Sequence, residues 1–280
     1  MNGTSVARIL SLPLCLLALG TLKTAVAQSC PDATCVISAI NAANANTKKT
    51  TINLVGAQTY LLGASLPPLF PIEISGNVSI VGDGNTLDGT GLSAIFLVDA
   101  GATLEFDDVT LTNATGAGLF NNGGKITLNS STVSFCAGFY PLGGGGIFNA
   151  AGTVTLNNST VSNNTTPVVV TSQGTSTTSG GGILNQDTVT LNSSVISGNS
   201  ATGAQGGGVY NSGQLTLNKS TVTGNGTPAA QGGGIFNDTT GTVTLNSSTV
   251  TGNTATSGAG IYNLGGTLTL NKSNVDSIAP

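Results

Sequence analysis

Histidine and tryptophan are absent from the 280 residues, methionine occurs once, and the single arginine is Arg8. Without histidine there is no imidazole general base, no histidine-held metal and no serine–histidine nucleophile pair. Charged residues make up only 6% of the chain, so no basic patch exists for nucleic acid or an anionic membrane. The polar surface has to come from serine, threonine and asparagine. Hydrophobic residues, at 39%, suffice for a core, but with 41 glycines and no tryptophan that core must be assembled from small units.

A long uninterrupted apolar run is also missing. The stretch at 9–22 is broken by polar and helix-breaking residues and falls short of the roughly 20 needed to cross a bilayer. With Arg8 before it and Ala25-Val26-Ala27 after it, residues 1–27 read as a secretory signal peptide cleaved after Ala27. The mature chain then has no transmembrane segment and belongs outside the cell, secreted or at the cell surface, bacterial outer membrane included. It keeps five lysines against 11 carboxylates and three cysteines. Cys30 and Cys35 can close a small N-terminal loop and leave Cys136 odd, although the sequence alone leaves other pairings open. Zinc is the weaker use for them where histidine is missing.

What the chain does contain is a repeat. The hexapeptide GGGIFN at 144–149 returns as GGGILN from Gly180, GGGVYN from Gly206, GGGIFN from Gly232 and GAGIYN from Gly258, with an earlier GAGLFN from Gly116. The closing asparagines, Asn121, Asn149, Asn185, Asn211, Asn237 and Asn263, are 28, 36, 26, 26 and 26 residues apart. Each hexapeptide precedes an alternating stretch such as TVTLNNST from Thr153 or TVTLNSST from Thr242, and then a brief third stretch such as VTGN from Val222. Three short strands per unit of about 26 residues cannot bury enough apolar area alone to offset their ordering entropy, so the units must stack.

Stacked about 4.8 Å apart, roughly nine coils give a parallel β-helix about 40 Å long. Leu119, Ile147, Ile183, Val209, Ile235 and Ile261 then form one interior ladder, and Leu156, Leu191, Leu217, Leu245 and Leu270 another. Glycine supplies positive φ at the turns, and asparagine can bond to the asparagine of the next coil. A β-propeller is the competing repeat fold, but its blades are longer and richer in aromatics. Residues 28–49 precede the repeats as a cap. Val36, Ile37, Ile40 and Ala43 predict a short amphipathic helix over 33–46 that covers the open end of the stack. The β-helix occupies 50–280, with a loop insertion at 165–179 and a smaller excursion at 135–143 that contains Phe139 and Tyr140.

The GGGIFN and VTLNNSTVSNNT phrases resemble the right-handed parallel β-helix repeats of polymorphic outer-membrane proteins. The AINAAN string at 39–44, followed by TINLVGAQTYLL, resembles the N-terminal cap of bacterial surface proteins with a CSLREAI motif, with Ser38 where that family has glutamate and Ile37 where it has arginine. The resemblance implies an exported, surface-displayed β-helix acting as a stalk, adhesin or passenger, within the pectin-lyase-like superfold. With no anchor before Pro280, either the sequence is a fragment or its last coil meets a partner, end to end or at the C-terminus.

Three candidate sites follow. The first is the acidic group Asp83, Asp88, Asp99, Glu105, Asp107 and Asp108 on adjacent early coils, of which Asp83, Asp88, Asp107 and Asp108 are the candidate calcium ligands or acid/base pair. Asp107 and Asp108 align with the turn pair Asn157 and Asn158, which also reads as ordinary turn chemistry. The second is the row Phe120, Phe148, Leu184, Tyr210, Phe236 and Tyr262. If the isoleucine ladder points inward, this row points outward as an apolar patch suited to sugar faces or a partner's side chains, while ladder stacking alone also accounts for it. The third is the 165–179 insertion, since loops on a rigid scaffold often carry specificity. These readings predict a non-catalytic surface scaffold contacting carbohydrate or protein. The alternative is a polysaccharide lyase or glycoside hydrolase using the early carboxylates.

Overall fold

The computed structural model describes residues 27–280 apart from 47, 66–69, 139–142, 172–173 and 177. The expected signal segment therefore lies outside the described residues, except that Ala27 already begins the first strand, Ala27–Cys30. Phe139 and Tyr140 lie outside them as well.

Twenty-four strands join into one continuous sheet wound as a solenoid, each strand pairing in parallel with its equivalents in the coils before and after it. That order rules out propeller blades. On the first face Val154, Val189, Leu215, Val243 and Leu268 pair in series, as do Leu156, Leu191, Leu217, Leu245 and Leu270. The second face aligns Val133, Val161, Ile196, Val222 and Val250. The third aligns Leu119, Ile147, Ile183, Val209, Ile235 and Ile261. Their side chains meet on the axis in one core cluster, and only the final coil is less covered, with Leu270 41% exposed. Alternation along each strand produces this pattern, because neighbouring side chains point to opposite faces and a fixed period brings like onto like. The early strands Asn77–Asp88, Thr103–Thr112, Ala117–Asn129 and Ile147–Asn157 run unbroken through a corner, whereas later coils divide the same path into short strands.

The expectation of three strands per coil needs a correction. Thr165–Thr166, Ser200–Ala201, Gly226–Gln231 and Thr254–Ser257 form a second, four-stranded parallel sheet between the second and third faces. Its inward residues are small, Thr166, Ala201 and Thr227, each fully buried. This sheet also explains the middle glycine of the triplets. A Cβ on Gly207 would lie 2.6 Å from the backbone carbon and oxygen of Gly226 and from Gly233 O, so the turn and the fourth strand touch backbone to backbone. Gly206, just before it, has φ +72°, which favours glycine on separate grounds. In the last copy the middle glycine is Ala259, and no strand of the second sheet follows Thr254–Ser257.

One α-helix, α1 (Ala33–Asn44), covers the first coils. Asp32 caps it by accepting from the Cys35 N–H at 2.8 Å, satisfying a donor that has no partner within the helix. Ala33, Val36, Ala39, Ile40 and Ala43 face the solenoid and join its core. Asn44 ties the far end down: its amide donates to Glu73 O at 2.7 Å and its Oδ1 accepts from Ser75 and Gly76 N–H. A disulfide joins Cys30 to Cys35, Cα–Cα 5.2 Å, and links the first strand to the helix. Below it the buried Tyr60 hydroxyl donates to Cys30 O at 2.8 Å and accepts from Val55 N–H at 2.8 Å. Among the described residues, no helix is long and apolar enough to cross a membrane.

Candidate functional site

The most repeated polar geometry is a set of asparagine ladders. Asn121, Asn149, Asn185, Asn211, Asn237 and Asn263 lie at the end of the third face, each of the first five donating its amide to Oδ1 of the next at 2.7–2.8 Å. The first five are fully buried. Asn164, Asn199, Asn225 and Asn253 form a second buried ladder of the same polarity, at 2.9–3.0 Å. A third, Asn129, Asn157, Asn192, Asn218, Asn246 and Asn271, runs along the corner between the first and second faces with the opposite polarity, each later residue donating to the earlier one. Beside it the backbone N–H groups of Ser131, Ser159, Ser194, Ser220 and Ser248 donate to the serine hydroxyl of the following coil at 3.0–3.1 Å. Coil-to-coil bonding therefore takes up most of the conspicuous polar side chains. Among the described residues, the buried hydroxyls without a partner are those of Thr166, Thr178 and Thr227.

The acidic candidates fall on different corners. Asp83 and Asp108 hold the left-handed turn position after the first face, φ 49° and 54°, as Ser130, Asn158, Ser193, Lys219, Ser247 and Lys272 do in other coils. Asp107 pairs in register with Asn129, so it begins the line of the outer asparagine ladder. Asp88 sits at the far end of the second face, in register with Thr112. Its carboxylate accepts from the Thr90 N–H and hydroxyl and from the Asn113 amide. Burial pushes the Asp88 pKa up, but these bonds outweigh it and hold the group below its ordinary value. Glu105 pairs with Lys49, which lowers its pKa against the opposing effect of burial, and also accepts from Asn129. The structure thus brings Asp83, Asp107 and Asp108 to one corner and leaves Asp88 on another, so the four do not form a single group. Among the described residues, no three His, Cys, Asp or Glu side chains are grouped so as to hold a metal ion.

The aromatic row points outward, with Phe120, Phe148, Leu184 and Tyr210 in a small cluster apart from the core, but it is not an exposed patch. Phe148, Leu184 and Phe236 are 7%, 8% and 2% exposed. Glycine turns fold back over the row; Gly232 passes so close to Phe236 that a Cβ there would lie 2.7 Å from the Phe236 Cα and Cβ. The rings lie flat on one another, Phe120 on Phe148 at 4.9 Å, Tyr210 on Phe236 at 5.2 Å and Phe236 on Tyr262 at 5.4 Å, with interplanar angles of 4–11°. Stacking along the axis occupies ring faces and turns edges to solvent, so a sugar has little flat surface to lie against. Tyr210 also donates to Asp238 Oδ2 at 2.6 Å.

A different aromatic departs from the pattern, and the repeat alignment is the signal that could have found it. After the second face six successive coils turn through a left-handed residue: Asn113 (φ 63°), Phe135 (53°), Asn163 (55°), Gly198, Gly224 and Gly252 (65° each), as the register of the preceding residues aligns them. Glycine and asparagine suit that region. A bulky side chain there costs of order 1–2 kcal/mol. Phe135 is nevertheless 61% exposed, and its ring stacks on no other among the described residues.

A cleft of about 260 Å³ opens between the cap and the first coil, lined by Pro31, Asp32, Gln58, Tyr60 and Leu61 among others. Three of its polar side chains already have partners: Asp32 caps α1, the Gln58 amide donates to Pro31 O and Val55 O, and the Tyr60 hydroxyl donates to Cys30 O. Cys136 is buried, and burial pushes its thiol pKa up to about 12, which leaves it inert as a nucleophile.

In comparison with known proteins, the family model described as "Right handed beta helix region" matches residues 71–255. No curated protein and no solved structure matches the chain.

Proposed function

The chain belongs to the right-handed β-helix family, and on that premise we propose that it is an exported, adhesin-like scaffold, displayed at the cell surface or released, which touches carbohydrate or protein through its outer edges without transforming it. The observation that carries this reading is the use of the asparagines and serines: in coil after coil they bond to their own equivalents, so the abundant polar groups stiffen a rod and do not converge on a reacting atom. The export-type N-terminus and the resemblance to polymorphic outer-membrane protein repeats support display outside the cell. The alternative, a polysaccharide lyase or hydrolase built on early carboxylates, draws less support because Asp88 and the pair Asp107 and Asp108 stand on separate corners.

Protease added to intact cells that make the protein tests the display. External digestion of the chain, or its recovery from the medium, is the expected result. Full protection until the cells are lysed would contradict the proposal.

A further inference from the structure

We propose that Phe135, with the amides of Asn113 and Asn163, forms a subsite for a pyranose ring of a neutral polysaccharide, on the corner that follows the second face. The inference rests on the scaffold reading above and names a ligand class and a place for it.

The strain at Phe135 has no structural return. Its φ of 53° lies in the left-handed region, where its equivalents are asparagine or glycine, so the fold does not demand a ring at this point. The side chain is 61% exposed and belongs to neither apolar cluster. Unforced strain in a bulky residue is the kind that accompanies a functional site. Unlike the stacked row, this ring has an open face, and a flat apolar face suits the C–H face of a pyranose.

Its neighbours supply the complementary polar groups. Asn113 and Asn163 sit one coil to either side, about 10 Å apart in total on the inter-strand spacing. Asn113 is fixed, its amide donating to Asp88 Oδ2 at 2.8 Å and its Oδ1 accepting from the Thr112 hydroxyl at 3.3 Å, which leaves one amide N–H for a sugar hydroxyl. Asn163 is exposed and its amide has no hydrogen-bond partner among the described residues, which leaves a donor and an acceptor for sugar hydroxyls. Beyond Asn163 the same corner carries Gly198, Gly224 and Gly252, which add no side chains of their own to the path of further sugar units, with the Asn163 Oδ1 resting against Gly198 and the Asp276 carboxylate accepting from the Gly252 N–H at the far end. The carboxylate of Asp88, kept ionised by its hydrogen bonds, stands beside Asn113 and disfavours an anionic sugar. A neutral polymer is the class that fits.

The test titrates the full exported protein with hydroxyethylcellulose, galactomannan and dextran, with polygalacturonate as the acidic comparison, by affinity electrophoresis. Wild type should bind at least one neutral polymer more tightly than polygalacturonate. Phe135→Asn should weaken that binding at least tenfold while its melting temperature holds or rises, because asparagine is the residue used at the equivalent turns. Phe135→Tyr should keep the binding, and Asn163→Ala should weaken it severalfold. Equal binding by Phe135→Asn, or a fall in its melting temperature, would overturn the subsite and leave the scaffold reading standing. Failure to bind any neutral polymer, or preference for polygalacturonate, would also overturn it. Newly formed chain ends in the same samples would instead sink the non-catalytic reading and leave the subsite intact.

Discussion

Asn211 donates its buried amide to Asn237 Oδ1 at 2.8 Å, while its own Oδ1 accepts from Asn185 at 2.7 Å. Removing it leaves a buried acceptor on Asn237 and a weakened donor on Asn185. Asn211→Ala is therefore expected to cost about 2–4 kcal/mol in denaturant unfolding, against under about 1 kcal/mol for Asn218→Ala on the outer ladder, where water can replace the lost partner. Equal losses at the two positions would show that burial of the ladder is not what stabilises it.

The interior isoleucines make a sharper case. Ile235 is fully buried between Val209 and Ile261, so Ile235→Asp places a charge where neither water nor a counter-ion reaches. A penalty of several kcal/mol should unfold or shorten the rod. An unchanged thermal melt would mean that the register is wrong.

Gly207→Ala tests the contact between turn and fourth strand. The added methyl meets backbone that cannot swing aside, so a loss of about 1–3 kcal/mol is expected. Ala259→Gly should cost far less, since that turn has no fourth-sheet strand beyond it. Similar melting temperatures for Gly207→Ala and wild type would remove the steric account of the triplet.

Tyr210 and Asp238 predict a pH signature. The bond from Tyr210 holds the Asp238 pKa below its ordinary 3.8 against partial burial, so its stabilisation is present above that value and lost as pH falls through the folded pKa. Burial, then the Asp238 carboxylate, raises the Tyr210 pKa above its ordinary 10.0, so that contribution is present below 10.0 and lost as pH rises through the folded pKa. The stability gap between wild type and Tyr210→Phe should accordingly be flat from about pH 5 to 9 and shrink on both flanks. A gap that does not change with pH would show that the pair does not couple to folding.

The ladders were legible because a fixed period forces equivalent residues into register: once the asparagines Asn185, Asn211 and Asn237 are aligned, Ile183, Val209 and Ile235 follow. The helix was legible from Val36, Ile40 and Ala43 at helical spacing. The fourth strand was not, because Thr166, Ala201 and Thr227 carry no apolar alternation and gain burial only from the glycine turns beside them. Nor was the covering of the aromatic row, since alternation gives the direction of Phe148 and Phe236 but not what folds over them. Asp107 and Asp108 were readable as turn residues from their alignment with Asn157 and Asn158. Phe135 stands where the aligned coils on either side carry Asn113 and Asn163, so the repeat alignment already sets it apart, and its left-handed φ shows what that departure costs.

The most direct test of a scaffold that binds without catalysis is the release of new chain ends from neutral and acidic polysaccharides, with and without calcium, by wild type and by the double variant Asp107→Asn, Asp108→Asn. The account predicts no chain ends above background from either protein, with binding and melting temperature unchanged by the two substitutions. Chain ends that accumulate in proportion to the wild-type protein and vanish with the double variant would contradict it, and would make the early acidic corner an active site.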